Sequence, residues 1–197
     1  DQNGTITGVR VRANDVYANE EAGEEIELFA ARGIILATGG FGADVVFRRA
    51  QDARLDASLD TTNKPFATAE ALQEAIRIGA QPVDLSFVQL GPWACPDERG
   101  YGVGPYFSEY VVFQYGIVVD PTTGKRFCNE LADRKTLSDA LLSIGHPCVG
   151  IADKAGVEQS GWSIEKCLRK GVVKEFSSIE ELEAQYSIPM ESLVQTI

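Results

Sequence analysis

The stretch Gly33-Ile34-Ile35-Leu36-Ala37-Thr38-Gly39-Gly40-Phe41-Gly42 decides how the rest of the chain is interpreted. Its first five residues carry no polar side chain, which is typical of a short strand buried on both faces of a sheet. A glycine-rich turn follows at once, and glycine lets a backbone approach a bulky ligand because no Cβ intervenes. Ligands of open α/β sheets bind at the carboxyl ends of strands. The stretch therefore predicts a ligand-contacting turn, with a plain structural turn as the alternative.

Further strands are predicted on both sides of this turn. Residues 4–12 and 25–29 alternate between polar and apolar side chains, as half-buried antiparallel strands do. Residues 83–90 have the composition of another strand. These segments predict a sheet in which residues 33–37 form the central strand.

Two helices are predicted between these strands. Apolar residues recur at spacings of three and four over residues 43–54 and again over residues 67–78. Thr68 is a candidate N-terminal cap of the second helix, and Gly79 stands where helices commonly end. Strands and helices together indicate an α/β arrangement for the first part of the chain.

A loop rich in glycine and proline, residues 91–105, separates this part from the next. We place a domain boundary near its start, which gives domains over residues 1–90 and 91–197. Beyond the loop, the turn sequence Pro121-Thr122-Thr123-Gly124 predicts a hairpin between residues 115–120 and 125–128. A strand over residues 148–152 and four short helices complete an α+β domain, the helices being predicted over residues 138–144, 164–169, 179–186 and 190–197.

Composition excludes several classes of partner. The formal net charge of −11, without a run of Lys or Arg, argues against nucleic acid and anionic membranes. No apolar run approaches the roughly 20 residues that a membrane-spanning helix needs. The four cysteines show no CxxC spacing and no histidine cluster, so we expect free thiols, no metal site, and no role for His146.

The chain begins without an initiator methionine or a signal peptide. We therefore expect an internal piece of a longer protein, whose compartment the sequence leaves unknown.

The order of these features resembles the fumarate reductase/succinate dehydrogenase flavoprotein family. A strand pair, the turn Ala37-Thr38-Gly39-Gly40, a helix, and later Asn129-Glu130 and Arg134 occur in the order found in that family. The resemblance spans nearly the whole chain, and it implies a partial FAD-binding domain followed by an α+β substrate-capping domain. FAD is the implied cofactor, with the turn formed by Ala37, Thr38, Gly39 and Gly40 lying against it. The chain contains no GxGxxG fingerprint, so we expect only part of the flavin site here.

A second candidate flavin contact follows at Thr68-Ala69-Glu70-Ala71, which resembles the family's Thr-Gly-Asp-Gly. Ala69 and Ala71 replace the two glycines, and Glu70 replaces the aspartate. Thr68 and Glu70 are the implied cofactor contacts, and an ordinary helix start is the alternative.

The candidate catalytic residue is Arg134, because residues 124–134 look like the family's run after the capping-domain hairpin. The matching arginine in that family donates a proton to the substrate alkene, while flavin delivers hydride. Ser108-Glu109 matches a Thr-Glu pair that binds substrate and begins a proton relay, so Glu109 is the implied proton source behind Arg134. A simple salt bridge is the alternative role for Arg134.

The substrate-binding motif departs from the family. Gln89-Leu90-Gly91-Pro92 resembles Gln-x-His-Pro, whose histidine holds a substrate carboxylate, and Val112 stands where the family has a relay arginine. Gln89, Gly91 and Ser108 remain the implied substrate contacts. An unpaired buried carboxylate costs several kcal/mol, so we do not expect fumarate as the substrate.

The aromatic residues near these motifs indicate a roomier pocket for a larger unsaturated acid, with a filled seam between the domains as the alternative. They are Trp93, Tyr101, Tyr106 and Tyr110.

Three functional hypotheses follow. The first is an FAD-dependent oxidoreductase acting on CH–CH bonds, which reduces the activated C=C bond of a small unsaturated carboxylic acid. The second is a flavin-dependent dehydrogenase of a ring ketone. The third is a structural or docking domain, which we expect to describe the isolated chain. The electron donor is open between a haem domain and a reduced flavin or quinol.

Overall fold

The computed structural model describes residues 4–12, 23–98 and 102–197. The described elements of the first part are two strands and two helices, β1 (Gly8–Arg12), β2 (Glu25–Phe29), α1 (Val45–Gln51) and α2 (Glu70–Arg77). Those of the second part begin with α3 (Val103–Phe107), a π-helical turn (Ser108–Val112), α4 (Phe113–Tyr115), β3 (Ile117–Asp120), β4 (Lys125–Arg126) and α5 (Arg134–Ile144). They end with β5 (Val149–Ile151), α6 (Lys154–Ser160), α7 (Glu165–Lys170), α8 (Ile179–Tyr186) and α9 (Met190–Thr196).

The predicted strand pair of the first part is confirmed. β1 and β2 are antiparallel, with Gly8 opposite Phe29 and Arg12 opposite Glu25. A backbone bond from Ala30 N–H to the Thr7 carbonyl, at 2.8 Å, extends the pairing by one step. The alternating pattern was sufficient because both partners lie close in sequence.

The predicted central strand is wrong. Residues 33–40 form no regular element and are exposed, Ile35 to 92%. The strand predicted over residues 83–90 is also absent, and Asp84 there has a φ of 57°. The physical reason is shared, because a strand needs a neighbour for its backbone hydrogen bonds and no described strand lies beside either segment.

Both helices of the first part are confirmed, but the cap of the second is not Thr68. The N-cap position of α2 is Ala69, and its N–H donates to Asp44 Oδ2 at 3.2 Å. Asp44 also caps α1, where Oδ1 accepts the Phe47 N–H at 2.8 Å. One carboxylate therefore joins the starts of two helices. Gly79 follows α2 with a φ of 108°, as predicted.

Arg48 organises the segment after α1. Its guanidinium is buried and donates to four backbone carbonyls, those of Gly42, Leu55, Asp56 and Leu59. Burial lowers the pKa of Arg48. Polar bonds to one side chain thus shape residues 52–60, and no sequence motif indicated this.

The second part has a three-stranded sheet in the order β4-β3-β5, antiparallel throughout. The predicted hairpin is confirmed, and Gly124 in its turn has a φ of 68°. Two hydrophobic clusters lie on this sheet. The first is built on Val112, Phe113, Val118 and Leu137, and the second on Val119, Leu182, Ile188 and Leu193.

The four predicted helices of the second part are present, but two further helical segments were not predicted. α8 starts at Ser178, whose hydroxyl accepts the Glu181 N–H, and α9 starts after Pro189, both as predicted. α5 begins four residues before its predicted start, since Asp133 caps it. The helical run from Val103 and the helix α6 were missed.

The missed helical run starts within the glycine- and proline-rich loop. Glu98 reaches forward and accepts the N–H groups of Val103 and Gly104, which satisfies the first turn from outside. Pro105 costs little at a position that needs no intrahelical donor.

Two further properties concern the whole described region. All four cysteines are free thiols, and burial raises the pKa of Cys148 to about 11. Among the described residues, no helix has the length and apolar character required to span a bilayer.

Candidate active site

A cavity of about 290 Å³ brings together residues from both parts of the chain. Its lining consists of Thr62, Gln89, Gly91, Trp93, Glu109 and Arg134. Five of these were singled out from the sequence, namely Gln89, Gly91, Trp93, Glu109 and Arg134. Thr62 was not.

Arg134 and Glu109 meet at the wall of this cavity. An Nη of Arg134 lies 3.7 Å from Glu109 Oε1, and the side chains are 52% and 32% exposed. This is an ion pair without a close hydrogen bond. A half-exposed pair of this kind contributes little to stability, so it is free to exchange partners. The carboxylate is close enough to relay a proton through small movements.

The backbone around Arg134 is fixed on both sides. Asp133 accepts the N–H groups of Lys135 and Thr136 at 2.9 and 3.1 Å, which starts α5 at Arg134. Buried Glu130 accepts the Val118 N–H at 2.7 Å. These bonds fix the segment that projects Arg134 into the cavity.

Glu130 also accepts a hydrogen bond from Arg126 Nε, at 2.9 Å to Oε2. The hairpin strand that contains Arg126 is thereby joined to the segment before Arg134. Sequence reasoning quoted Asn129-Glu130 as part of the motif but assigned Glu130 no role. The position of the Glu130 carboxylate shortly before Arg134 could have indicated a role in fixing this segment.

Trp93 lies directly under the guanidinium of Arg134. The Arg134 Cζ is 4.7 Å from the centre of the Trp93 ring, a cation–π distance. The ring also contacts Phe113, edge to face at 5.9 Å, which connects it to the first hydrophobic cluster. Stacking on Trp93 therefore restricts the position of the Arg134 guanidinium, although this side chain is half-exposed.

The Glu109 position depends on the π-helical turn Ser108–Val112. Such turns displace the side chains that follow by a fraction of a helical turn, and they are frequent at functional sites. Val111 and Val112 of this turn are buried. Val112, at the place of the family's relay arginine, thus faces the hydrophobic core.

The glycine turn lies open to a flat ligand. Ala37, Thr38, Gly39 and Gly40 are all exposed, and Gly39 has a φ of 86°. Nothing lies within 4 Å of the positions that a Cβ would take on Gly39 or Gly40. The backbone surface there fits the close approach of an isoalloxazine or similar ring.

Residues that follow the glycine turn contact the segment that leads to the cavity. The Ala43 N–H donates to the Ala67 carbonyl at 3.0 Å, and a Cβ on Gly42 would collide with the side chain of Asn63. Asn63 is the neighbour of Thr62, which lines the cavity. That the turn itself faces the cavity stays a prediction.

Other predicted site residues are placed elsewhere. Glu70 lines a separate cavity of about 360 Å³ with Arg10, Val11, Arg12 and Glu25. Thr68 is half-buried beside the residue that Asp44 binds, and Ser108 starts the π-helical turn without lining the cavity. Their roles as ligand contacts stay predictions.

The expected aromatic lining is only partly present. Trp93 lines the cavity, whereas Tyr106 and Tyr110 stack on Trp162 with ring centres 5.6 and 5.1 Å away. Tyr101 lies outside the described residues. Of the three described aromatic residues, Trp93 therefore lines the cavity and the two tyrosines do not.

His146 has a structural role that the sequence did not reveal. Its Nε2 lies 2.9 Å from Asp120 Oδ1, and this contact with the bonds from Thr122 and Thr123 lowers the pKa of Asp120 to about 2. The pair closes the hairpin turn, and neither residue lines the cavity.

Comparison with known proteins places the chain among flavoproteins. A family model described as "FAD binding domain" matches residues 1–195. The acrylate reductase flavoprotein subunit of Shewanella woodyi is 39% identical over 100% of this chain and 40% of its own length. The NADH:acrylate oxidoreductase of Vibrio harveyi is 27% identical over 99% of this chain and 19% of its own length.

A fumarate reductase of Schizosaccharomyces pombe is 27% identical over 83% of this chain and 32% of its own length. The chain thus spans 40% or less of the length of these three relatives.

Proposed function

This chain belongs to the FAD binding domain family, and we propose that its protein is an FAD-dependent oxidoreductase that reduces the activated C=C bond of an unsaturated carboxylic acid. In this proposal residues 1–90 form part of the FAD-binding domain and residues 91–197 form the substrate-capping domain. The observation that carries it is the shared cavity, where Arg134 and Glu109 line one space with Thr62 and Gln89 from the first part of the chain. The names of the relatives, which include acrylate and fumarate reductases, agree with it.

Ala37, Thr38, Gly39 and Gly40 would hold FAD, and the bound cofactor would supply the hydride chemistry at one carbon of the double bond. Arg134 has two roles at the other carbon. Its positive charge stabilises the negative charge that develops on the substrate, and an Nη–H gives that carbon a proton. A guanidinium is a weak acid, but the substrate carbanion is a far stronger base.

Glu109 then restores the proton of Arg134 from solvent, and the 3.7 Å separation requires only a small side-chain movement. Trp93 keeps the guanidinium over the cavity during this exchange. A cation next to the substrate stabilises an anionic intermediate.

The lining also limits the substrate. Among the described residues that line the cavity, Arg134 is the sole cation and Glu109 adds a negative charge. Gly91 offers no side chain, and Val112 is buried in the core. A dicarboxylate such as fumarate would leave one charge unpaired, so a substrate with a single carboxylate fits better.

The test is Arg134→Ala in the full-length, flavin-loaded protein, assayed for alkene reduction with a reduced dye. We expect kcat for acrylate to fall by about 1,000-fold, the scale of a lost general acid. Flavin absorbance per protein should not change. Lys135→Ala, the exposed neighbour on the same helix, is the matched control and should keep its activity.

Unchanged turnover in Arg134→Ala would remove Arg134 from the mechanism. Wild-type protein that oxidises a ring ketone but reduces no alkene would favour the dehydrogenase hypothesis instead.

A further inference from the structure

Trp93 and Gly91 share one piece of space at the edge of the cavity. A Cβ on Gly91 would lie 3.5 Å from Trp93 Nε1, 3.7 Å from Cε2 and 4.0 Å from Cζ2. A methyl group would therefore be in ordinary contact with the indole. A longer side chain at position 91 that extends towards Trp93 would collide with the indole, so the two positions are sterically coupled.

The indole is held in a defined orientation. Arg134 covers its face at 4.7 Å, and Phe113 contacts it at 5.9 Å from the first hydrophobic cluster. Repacking the ring would break a cation–π contact and an aromatic pair together. Trp93 is thus a fixed wall of the cavity.

The edge of the indole carries a hydrogen-bond donor. Indole Nε1–H donates and cannot accept, and within the described part of the chain it has no acceptor. Because Nε1 lies beside Gly91, this donor is at the cavity lining, where Gln89 and Thr62 are also found. An N–H here can bind one carboxylate oxygen without adding charge.

The charges at the cavity point to a ligand with one carboxylate. The cavity of about 290 Å³ is bounded by the indole and offers Arg134 and one neutral N–H. One carboxylate can be satisfied by these two donors. A second carboxylate would meet the aromatic ring or Glu109, where desolvation and repulsion both oppose it.

We propose that Trp93 is a specificity-determining residue, which selects small unsaturated monocarboxylates by donating its N–H to the carboxylate and by presenting an apolar ring where a dicarboxylate would need a second polar partner. The inference deepens the proposed function and rests on it. Gly91 contributes to the same selection, because a small residue at position 91 leaves room for the indole.

The experiment measures equilibrium binding of propionate and succinate to full-length, flavin-loaded protein, by the change in flavin absorbance and by calorimetry. These are saturated acids, so binding is read without turnover. We expect the wild type to bind propionate at least about tenfold more tightly than succinate, the scale of one unpaired polar group.

Trp93→Phe keeps the ring but removes the donor, and we expect propionate affinity to fall by about tenfold. Trp93→Ala also opens the space, so the preference for propionate over succinate should fall by about tenfold or more. Gly91→Val should weaken propionate binding, and combining it with Trp93→Ala should restore space for the side chain at position 91.

Trp162→Phe is the matched control, because Trp162 belongs to the separate stack with Tyr106 and Tyr110 and should affect neither acid. If Trp93→Ala loses its flavin or its circular dichroism, Trp93→Phe decides alone.

An unchanged propionate-to-succinate ratio in both Trp93 variants would overturn the inference, and so would a wild type that binds neither acid or prefers succinate. A wild type that shows the expected binding pattern but reduces no unsaturated acid would instead refute the proposed function, while the role of Trp93 in recognition would stand.

Discussion

The two parts of the molecule differ in how they are stabilised. Residues 102–197 fold around two hydrophobic clusters on a three-stranded sheet. In residues 23–98, large apolar side chains are exposed, Phe29 to 80% and Phe87 to 82%, and buried Arg48 fixes the backbone by polar bonds. The second part therefore contains its own core, whereas the first part has apolar surfaces that nothing in the described chain buries.

This difference matches the division of labour that we propose. Arg134 and Glu109 belong to the part with the core, so a stable frame positions the proton donor. The glycine turn belongs to the open part, where a large flat cofactor needs access. Contacts with that cofactor would bury part of the open surface and stabilise the first part by mass action.

The largest expected effect compares two isoleucines. Ile188 is fully buried in the second cluster, whereas Ile35 is 92% exposed. Ile188→Ala should lower the free energy of unfolding by about 4 kcal/mol, through lost burial and a cavity. Ile35→Ala should change it by less than about 0.5 kcal/mol. Urea denaturation followed by circular dichroism checks both, and equal effects would break the comparison.

The next effect concerns the polar frame of the first part. Arg48→Met keeps the apolar stem but removes the donors to four carbonyls. We expect the free energy of unfolding to fall by about 3 kcal/mol, because buried carbonyl acceptors are left without partners. Arg49→Met at the exposed neighbouring position is the control.

Limited proteolysis would locate the Arg48 effect. We expect new cleavage within residues 52–60 in Arg48→Met and an unchanged pattern in Arg49→Met. Cleavage confined to the second part would contradict the role assigned to Arg48.

A smaller effect contrasts two ion pairs. Glu130 is 4% exposed and binds both Arg126 and the Val118 N–H, whereas Glu27 forms an exposed pair with Arg10. Glu130→Gln should lower the free energy of unfolding by about 2 kcal/mol, and Glu27→Gln should lower it by less than about 1 kcal/mol. Thermal unfolding of the two variants side by side would measure the difference, and a larger loss in Glu27→Gln would reverse our interpretation.

The smallest effect is a pH dependence in the second part. The contact with His146 and the bonds from Thr122 and Thr123 lower the pKa of Asp120 to about 2. A folded-state pKa below the unfolded value gives stability that is present above about pH 4 and is lost as the pH falls towards 2. Asp120→Asn should therefore flatten the acid limb of the stability curve. An identical limb in both proteins would exclude this pair as a contributor.

Much of the fold was predictable wherever structure is local. The hairpin at Pro121–Gly124, the caps at Ser178 and Pro189, and the paired strands β1 and β2 all follow from residues close in sequence. The candidate site was predictable through the resemblance to family motifs, which implied Glu109 and Arg134 from positions 25 residues apart in the chain. Their chemical roles stay predictions.

The failures have a common origin in long-range partners. Residues 33–37 have the composition of a buried strand but lie exposed, since burial depends on neighbours that composition does not contain. The helical run from Val103 was missed because Glu98 supplies its first acceptors. The roles of three side chains were missed because their own segments do not show which groups they bind. These are Arg48, Glu130 and His146.

By itself the sequence determined the local elements, the acidic and glycine-rich character of the chain, and the identity of the residues proposed to act. Only the tertiary structure decided that Trp93 lies under Arg134, that Glu130 fixes the segment before it, and that Tyr106 and Tyr110 lie outside the cavity. The reason is physical. Turns and caps are satisfied within a few residues, whereas a cavity is the space left between distant segments, and its walls exist only after those segments have packed.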